Sequence, residues 1–319
     1  MKFEELKTKI ESYFSKANQV KRIVIYAAIA LGLTIASFGG YYYWDRYVKI
    51  GDQSPISRSI NELEELVRQH PDDPELRMAL AESYLVDQNY AKANEQAAEV
   101  LISYPDNERA MFVVGISAAS EEKWEQAVPP LEKFVEIRSK APTANMDTSL
   151  ETALYFLGSS YINLNRHQDA IPALTQAVKI NATDADAFYL LGQAYAQDGQ
   201  HEEAVRSYGE AARFVPDFVE AYQGMAESYA ALGKADYASY ALGMVSFSMK
   251  DYEAARIELE KATLSLTDFA PAFIGLGLTY EELGDLKSAE ASLIIALQIE
   301  PDNFTASQAL GRVQAAIGN

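Results

Sequence analysis

Eight small residues recur along this chain at a nearly fixed interval, and that interval decides what the chain can fold into. Ala81, Gly115, Gly158, Gly192, Ala226, Gly243, Gly277 and Gly311 are spaced by 34, 43, 34, 34, 17, 34 and 34 positions. A tyrosine follows three residues later at Tyr84, Tyr161, Tyr195, Tyr229 and Tyr280. An alanine follows twelve residues later at Ala93, Ala127, Ala170, Ala204, Ala238, Ala255 and Ala289. A period of this length marks an array of helical units, none of which can bury its apolar face alone, so that the core forms between stacked neighbours.

The steric reading assigns these positions to packing. Where two antiparallel helices cross, a Gly or Ala on the first admits the second closely, the motif Ala does the same from the other side, and the Tyr ring fills the space between pairs. The spacing and residue types resemble the tetratricopeptide repeat family, whose pattern is Gly-x-x-Tyr on one helix and Ala-x-x-x-Phe-x-x-Ala on the next. The likeness covers about 72–317 and is fullest at 184–217, where Gly192, Tyr195, Ala204, Tyr208, Ala211 and Pro216 all fall in place. It implies an all-α solenoid of helical hairpins used as a protein-binding surface.

Ahead of the array, Ile23–Trp44 runs for 22 residues without a charge and ends in Tyr41-Tyr42-Tyr43-Trp44. At ~1.5 Å per residue this reaches about 33 Å, enough to cross a bilayer core, with the aromatics at interfacial depth. Lys7, Lys9, Lys16, Lys21 and Arg22 precede the span and Arg46, Lys49 and Arg58 follow it. This bias predicts an uncleaved signal anchor with its N-terminus inside. The expected organisation is a cytoplasmic segment 1–22, a transmembrane helix 23–44, a linker 45–55 and a solenoid 56–319. The solenoid would be extracytoplasmic, in a periplasm or beyond, and the protein a single-pass inner-membrane protein. Before the span, Phe3, Leu6, Ile10, Tyr13 and Phe14 fall at helical spacing, as either a membrane-surface helix or a solvated extension of the anchor.

Two steps break the period. The 43-residue step adds nine residues at 139–149, poor in large apolar residues, as a long loop or an extended helix followed by one. The 17-residue step makes Ala235–Met249 carry both Ala238, as a second helix would, and Gly243, as a first helix would. A break in regularity is expected between 233 and 251. Ile56–His70 reads as a lone second helix capping the array and Asp302–Ile317 as the closing helix. Pro129 and Pro130 read as first-turn prolines of a second helix.

Charge and chemistry narrow the function. Net charge is −19: residues 1–49 hold eight basic and four acidic side chains, and the remainder 19 and 42. So acidic a body disfavours nucleic acid and favours basic or apolar protein segments. The absence of cysteine removes disulfides and thiolate chemistry. His70, His167 and His201 lie in different repeats, lack metal-ligand spacing and are expected to face solvent. No phosphate loop or nucleophile elbow is present, so an enzyme is not expected, nor a cofactor, metal or small-molecule substrate.

In the family the first helices line a groove. Counted from the motif, its positions here are Phe112, Ile116, Tyr155, Ser159, Tyr189, Gln193, Gln223 and Glu227, joined by Tyr240, Met244 and Phe247 if the helix after the half-step takes the same place. These side chains do not match the lysine, asparagine and arginine clamp by which one subgroup holds acidic chaperone tails. The sequence therefore points to a membrane-anchored scaffold that assembles, or belongs to, an envelope membrane complex. The alternative is an organelle import or docking receptor with cytosolic repeats.

Overall fold

A computed structural model describes Glu5 and residues 54–318. Apart from Glu5, the expected segment 1–22, the span Ile23–Trp44 and the linker as far as residue 53 lie outside the described residues. Among the described residues no helix is long and apolar enough to cross a membrane.

The chain divides into two units, residues 1–69 and 70–319. The first contains α1 (Pro55–Gln69), which starts on a proline where a missing N–H costs nothing, with Ser54 Oγ accepting from the Ser57 N–H at 3.1 Å. The second unit is a solenoid of fourteen helices. They are α2 (Pro74–Val86), α3 (Tyr90–Ser103), α4 (Glu108–Ser120), α5 (Trp124–Arg138), α6 (Thr148–Asn163), α7 (His167–Ile180) and α8 (Ala185–Gln197). There follow α9 (His201–Phe214), α10 (Val219–Ala231), α11 (Ala235–Ser248), α12 (Tyr252–Ser265), α13 (Ala270–Leu283), α14 (Leu286–Ile299) and α15 (Phe304–Ile317). There is no strand among the described residues.

Two kinds of turn alternate. From a first to a second helix, one residue takes the left-handed conformation: Gln88, Glu122, Asn165, Gly199, Gly233, Lys250 and Gly284. The next residue donates its N–H five positions back, as in Asn89 to the Tyr84 carbonyl at 2.9 Å and Arg166 to that of Tyr161 at 2.8 Å. This is the Schellman closure, and glycine relieves its backbone strain at only three of the seven places. From a second to the next first helix, Asp73, Asn107, Asp147, Asp184 and Asn303 cap the new helix with their side chains. Phe218 and Phe269 occupy the same position without a side-chain cap. Their rings pack instead: Phe218 lies 5.1 Å from Tyr189, and Phe269 lies 5.1 Å from Tyr237 and 5.0 Å from Tyr240.

The close approach within each pair has a regular partner. A Cβ added at Gly115, Gly158, Gly243 or Gly277 would come within 2.4–2.6 Å of Leu131, Leu174, Leu259 or Leu293 respectively, and one at Gly192 within 2.7 Å of Tyr208. Each partner lies sixteen residues on, one turn past the motif alanine. The glycine thus receives a large side chain from the second helix, which corrects the simple picture of small residue against small residue. The motif alanines are buried and let the following turn of the second helix press inward.

The half-step is resolved by the turns on either side of α11. Gly233 and Lys250 both form the first-to-second type. So α11 is the second helix of α10 and the first helix of α12, and it packs against both. First helices α2, α4, α6, α8 and α10 neighbour one another in one row. Beyond the half-step, α13 lies beside α11 and α15 beside α13, which forms a different row.

At the longer step, α5 ends at Arg138 and the chain turns through a 3₁₀ segment at Ala144–Met146. Arg138 binds Asp147 at 2.8 Å through Nε and 2.6 Å through a terminal nitrogen, and Ala144 is buried with Leu150, Leu154 and Ala177. Pro129 and Pro130 lie inside α5, past the first turn where the sequence placed them. Pro129 is on the exposed side, so water can reach the carbonyl left without its N–H partner.

Candidate protein-binding faces

The eleven groove candidates fall into two sets. Phe112, Ile116, Tyr155, Ser159, Tyr189, Gln193, Gln223 and Glu227 lie on the first-helix row α4, α6, α8 and α10. Ile116 is buried in the core beside Leu131 and Phe134, because an apolar residue next to the motif glycine joins the packing. Phe112 is half-buried with its ring 5.1 Å from Phe134. Tyr155, Ser159, Tyr189 and Gln193 are half-buried, and Gln223 and Glu227 are exposed.

The other three, on α11, do not continue this row. Tyr240 and Met244 are buried, and together with half-buried Phe247 they line a cavity of about 330 Å³ walled by α9, α10, α11, α13 and α15. Because α11 is the second helix of α10, Tyr240 and Met244 join the core cluster against which Tyr189 also packs, and do not extend the exposed row.

Electrostatics give the first row its character. Burial raises the pKa of Tyr155, and Asp186, Asp184 and Glu151 push it further up. Burial does the same to Tyr189, aided by Glu220 and Glu227. Every charged group acting on these two rings is a carboxylate. Burial lifts Glu151 to about 7, and a hydrogen bond and charge shared with Asp184 add to the effect. At the other end of the row Arg109 is neutralised, holding Glu82 at 2.8 and 2.9 Å and Glu75 at 2.8 Å.

The repeat tyrosines serve structure. Tyr161 donates to Glu132 at 2.5 Å beneath the Arg166 guanidinium, and Tyr280 donates to Glu260 at 2.6 Å. His167 and His201 do not face solvent freely. They start α7 and α9, half-buried, at the register held by Tyr90, Trp124 and Tyr252 in other repeats, and their Nδ1 atoms are shielded. Among the described residues no group of three or more His, Cys, Asp or Glu side chains could hold a metal. The cavity residues Gly209, Arg213, Tyr222, Met225, Ile274 and Leu278 escaped sequence reasoning. The one available signal was Gly209, a glycine inside a helix at a position no motif requires.

Stacked helical hairpins with an exposed row of first helices define a repeat scaffold of the protein-interaction class. The tetratricopeptide repeat profile matches residues 52–108, 79–142 and 155–224, and a second tetratricopeptide repeat profile matches 236–264 and 270–303. The chain belongs to the tetratricopeptide repeat family. The second profile begins a repeat at α11, in agreement with its first-helix role toward α12.

Among solved structures, the chain is similar to a crystal structure of MamA, at 26% identity over 55% of this chain and 96% of that one, with a TM-score of 0.47. MamA from Desulfovibrio magneticus RS-1 is 20% identical over 56% and 97%, with a TM-score of 0.49. YrrB, described as a TPR protein with an unusual peptide-binding site, is 19% identical over 60% and 95%, with a TM-score of 0.51, and shares the fold. No curated protein matches the chain by sequence.

Proposed function

We propose that the chain is a scaffold held to a membrane by Ile23–Trp44, whose first-helix row binds cationic or apolar segments of other proteins. It would act as an assembly factor or accessory subunit of an envelope membrane complex. The observation that carries the binding reading is that half-buried Tyr155 and Tyr189 have carboxylates as the charged groups acting on them. An aromatic ring offers apolar contact area and a cation-attracting face, and nearby carboxylates reinforce that attraction. The net charge of −19 extends the preference over long range.

The test is capture of partners from native membranes by the full chain and by a Tyr155→Ala/Tyr189→Ala double variant. Both rings are half-buried, so the variant keeps its helical signal. Partners lost from the variant and weakened by salt support the reading, whereas equal capture moves binding off this row. Protease protection of the array in sealed membrane vesicles tests its side of the membrane separately.

A further inference from the structure

The cavity at the half-step takes one wall from α10, at the end of the first-helix row, but differs from the Tyr155–Tyr189 face in charge. Its wall is built from Tyr222, Met225, Tyr240, Met244, Ile274 and Leu278, and its volume of about 330 Å³ is at the lower end of the range of ligand pockets. In a chain of net charge −19, no carboxylate lines it. The one charged lining residue is Arg213, and Asn303 and Thr305 are also in the lining, Asn303 engaged with Glu300 at 2.8 Å. Arg213 holds Glu210 at 2.6 and 2.9 Å in an exposed pair on the same helix. Such a pair has little net strength and yields readily to a better-placed anion.

Gly209 keeps the cavity open. It lies inside α9, where glycine is the least favourable residue after proline. A Cβ there would meet only Met225 Cε, at 3.9 Å, so no neighbour demands the glycine. The equivalent second-helix positions hold Ala98, Glu132, Thr175, Gly243, Glu260 and Ile294, and of the two glycines only Gly243 is demanded by a close neighbour, Leu259 at 2.5 Å. Gly275, by contrast, sits in close contact, since its Cβ would come within 2.7 Å of Met244 Sδ and 3.3 Å of a Leu259 methyl.

We propose that this cavity is a second binding site, for an apolar group that carries a carboxylate. The apolar part fills the space above Met225 and Met244, and the carboxylate meets Arg213. The cavity shares no lining residue with the Tyr155–Tyr189 face, so either site can fail without the other.

The test uses the full chain with ¹³C-methyl methionine, since two of its seven methionines line the cavity and report on it directly. Octanoate is titrated, with octylammonium as the charge-reversed control and N-acetyl-Leu-Asp-amide as a peptide presenting the same two groups. Saturable shifts confined to the Met225 and Met244 methyls are expected with octanoate or the peptide, and much weaker ones with octylammonium. Tighter binding of the peptide names a protein segment as the source, and tighter binding of octanoate names a free acid. Gly209→Leu plugs the space and abolishes the shifts without lowering the melting temperature. Arg213→Gln weakens carboxylate binding by about tenfold, the share of one charged hydrogen bond. No saturable shift, equal response to octylammonium, or undiminished binding by Gly209→Leu would each overturn the proposal.

Discussion

The same substitution, glycine to alanine, should have opposite effects at two helical positions. In Gly158→Ala the new Cβ arrives 2.4 Å from Leu174 Cγ, with both Leu174 methyl carbons within 3.1 Å. That is about 1 Å inside ordinary carbon contact, and Leu174 is fully buried, so α6 and α7 must separate. Overpacking of this kind costs about 1–3 kcal/mol, while alanine gains about 0.8–1 kcal/mol in helix propensity, for a net loss of up to about 2 kcal/mol. In Gly209→Ala the propensity gain stands alone, so the variant gains about 0.8–1 kcal/mol. The two variants should differ by the overpacking cost, roughly 1–3 kcal/mol, although their chemistry is identical. Urea unfolding followed by far-ultraviolet circular dichroism measures this, with midpoints compared because repeat arrays need not unfold in two states. Equal midpoints, or a Gly158→Ala variant more stable than the parent, would refute the steric account of the repeat.

Three further expectations are open to direct measurement. Asp147→Ala removes both the α6 cap and the Arg138 bridge that closes the 139–147 loop, and should cost about 2 kcal/mol in chemical denaturation, an N-cap plus a charged hydrogen bond. Tyr280→Phe deletes the hydrogen bond to Glu260 and should cost about 1 kcal/mol, with hydrogen exchange quickening in α12 and α13 first. Glu151 binds its proton more tightly folded than unfolded, with a folded pKa of about 7 against an ordinary 4.5, so its contribution is fully present below the lower value and is lost as pH rises through the upper. Glu151→Gln should therefore flatten the decline in stability between those values, and an unchanged pH profile would remove Glu151 as its source.

Most of the architecture was legible because the constraint is local and repeated. The spacing of Gly115, Gly158, Gly192 and Gly277 records a crossing that must recur in every hairpin, and the 17-residue step between Ala226 and Gly243 marks the double role of α11. What the crossing partner is could not be read from the motif. Leu131, Leu174, Leu259 and Leu293 take that place in four hairpins and Tyr208 in a fifth, each sixteen residues on, at a position the motif does not name. The binding candidates were harder for a related reason. Motif counting treats Tyr240 and Met244 as equivalent to Tyr189 and Gln193, but a helix that serves two neighbours turns its side chains into a different row. Ile116 was misplaced by counting position without weighing that an isoleucine beside a close contact is drawn into it. His70 is exposed as expected, but His167 and His201 were misjudged from polarity, although the rings at Tyr90, Trp124 and Tyr252 mark their register as a packing position.

The central claim is that partners bind on the first-helix row, and site-specific photo-crosslinking in native membranes tests it most directly. A benzophenone amino acid placed at Gln193 or at exposed Gln223 samples that row, and one at exposed Ile102 or Leu264 samples second helices. The account predicts discrete protein adducts from Gln193 and Gln223 that are absent from Ile102 and Leu264. Adducts formed only from the second-helix positions would contradict it.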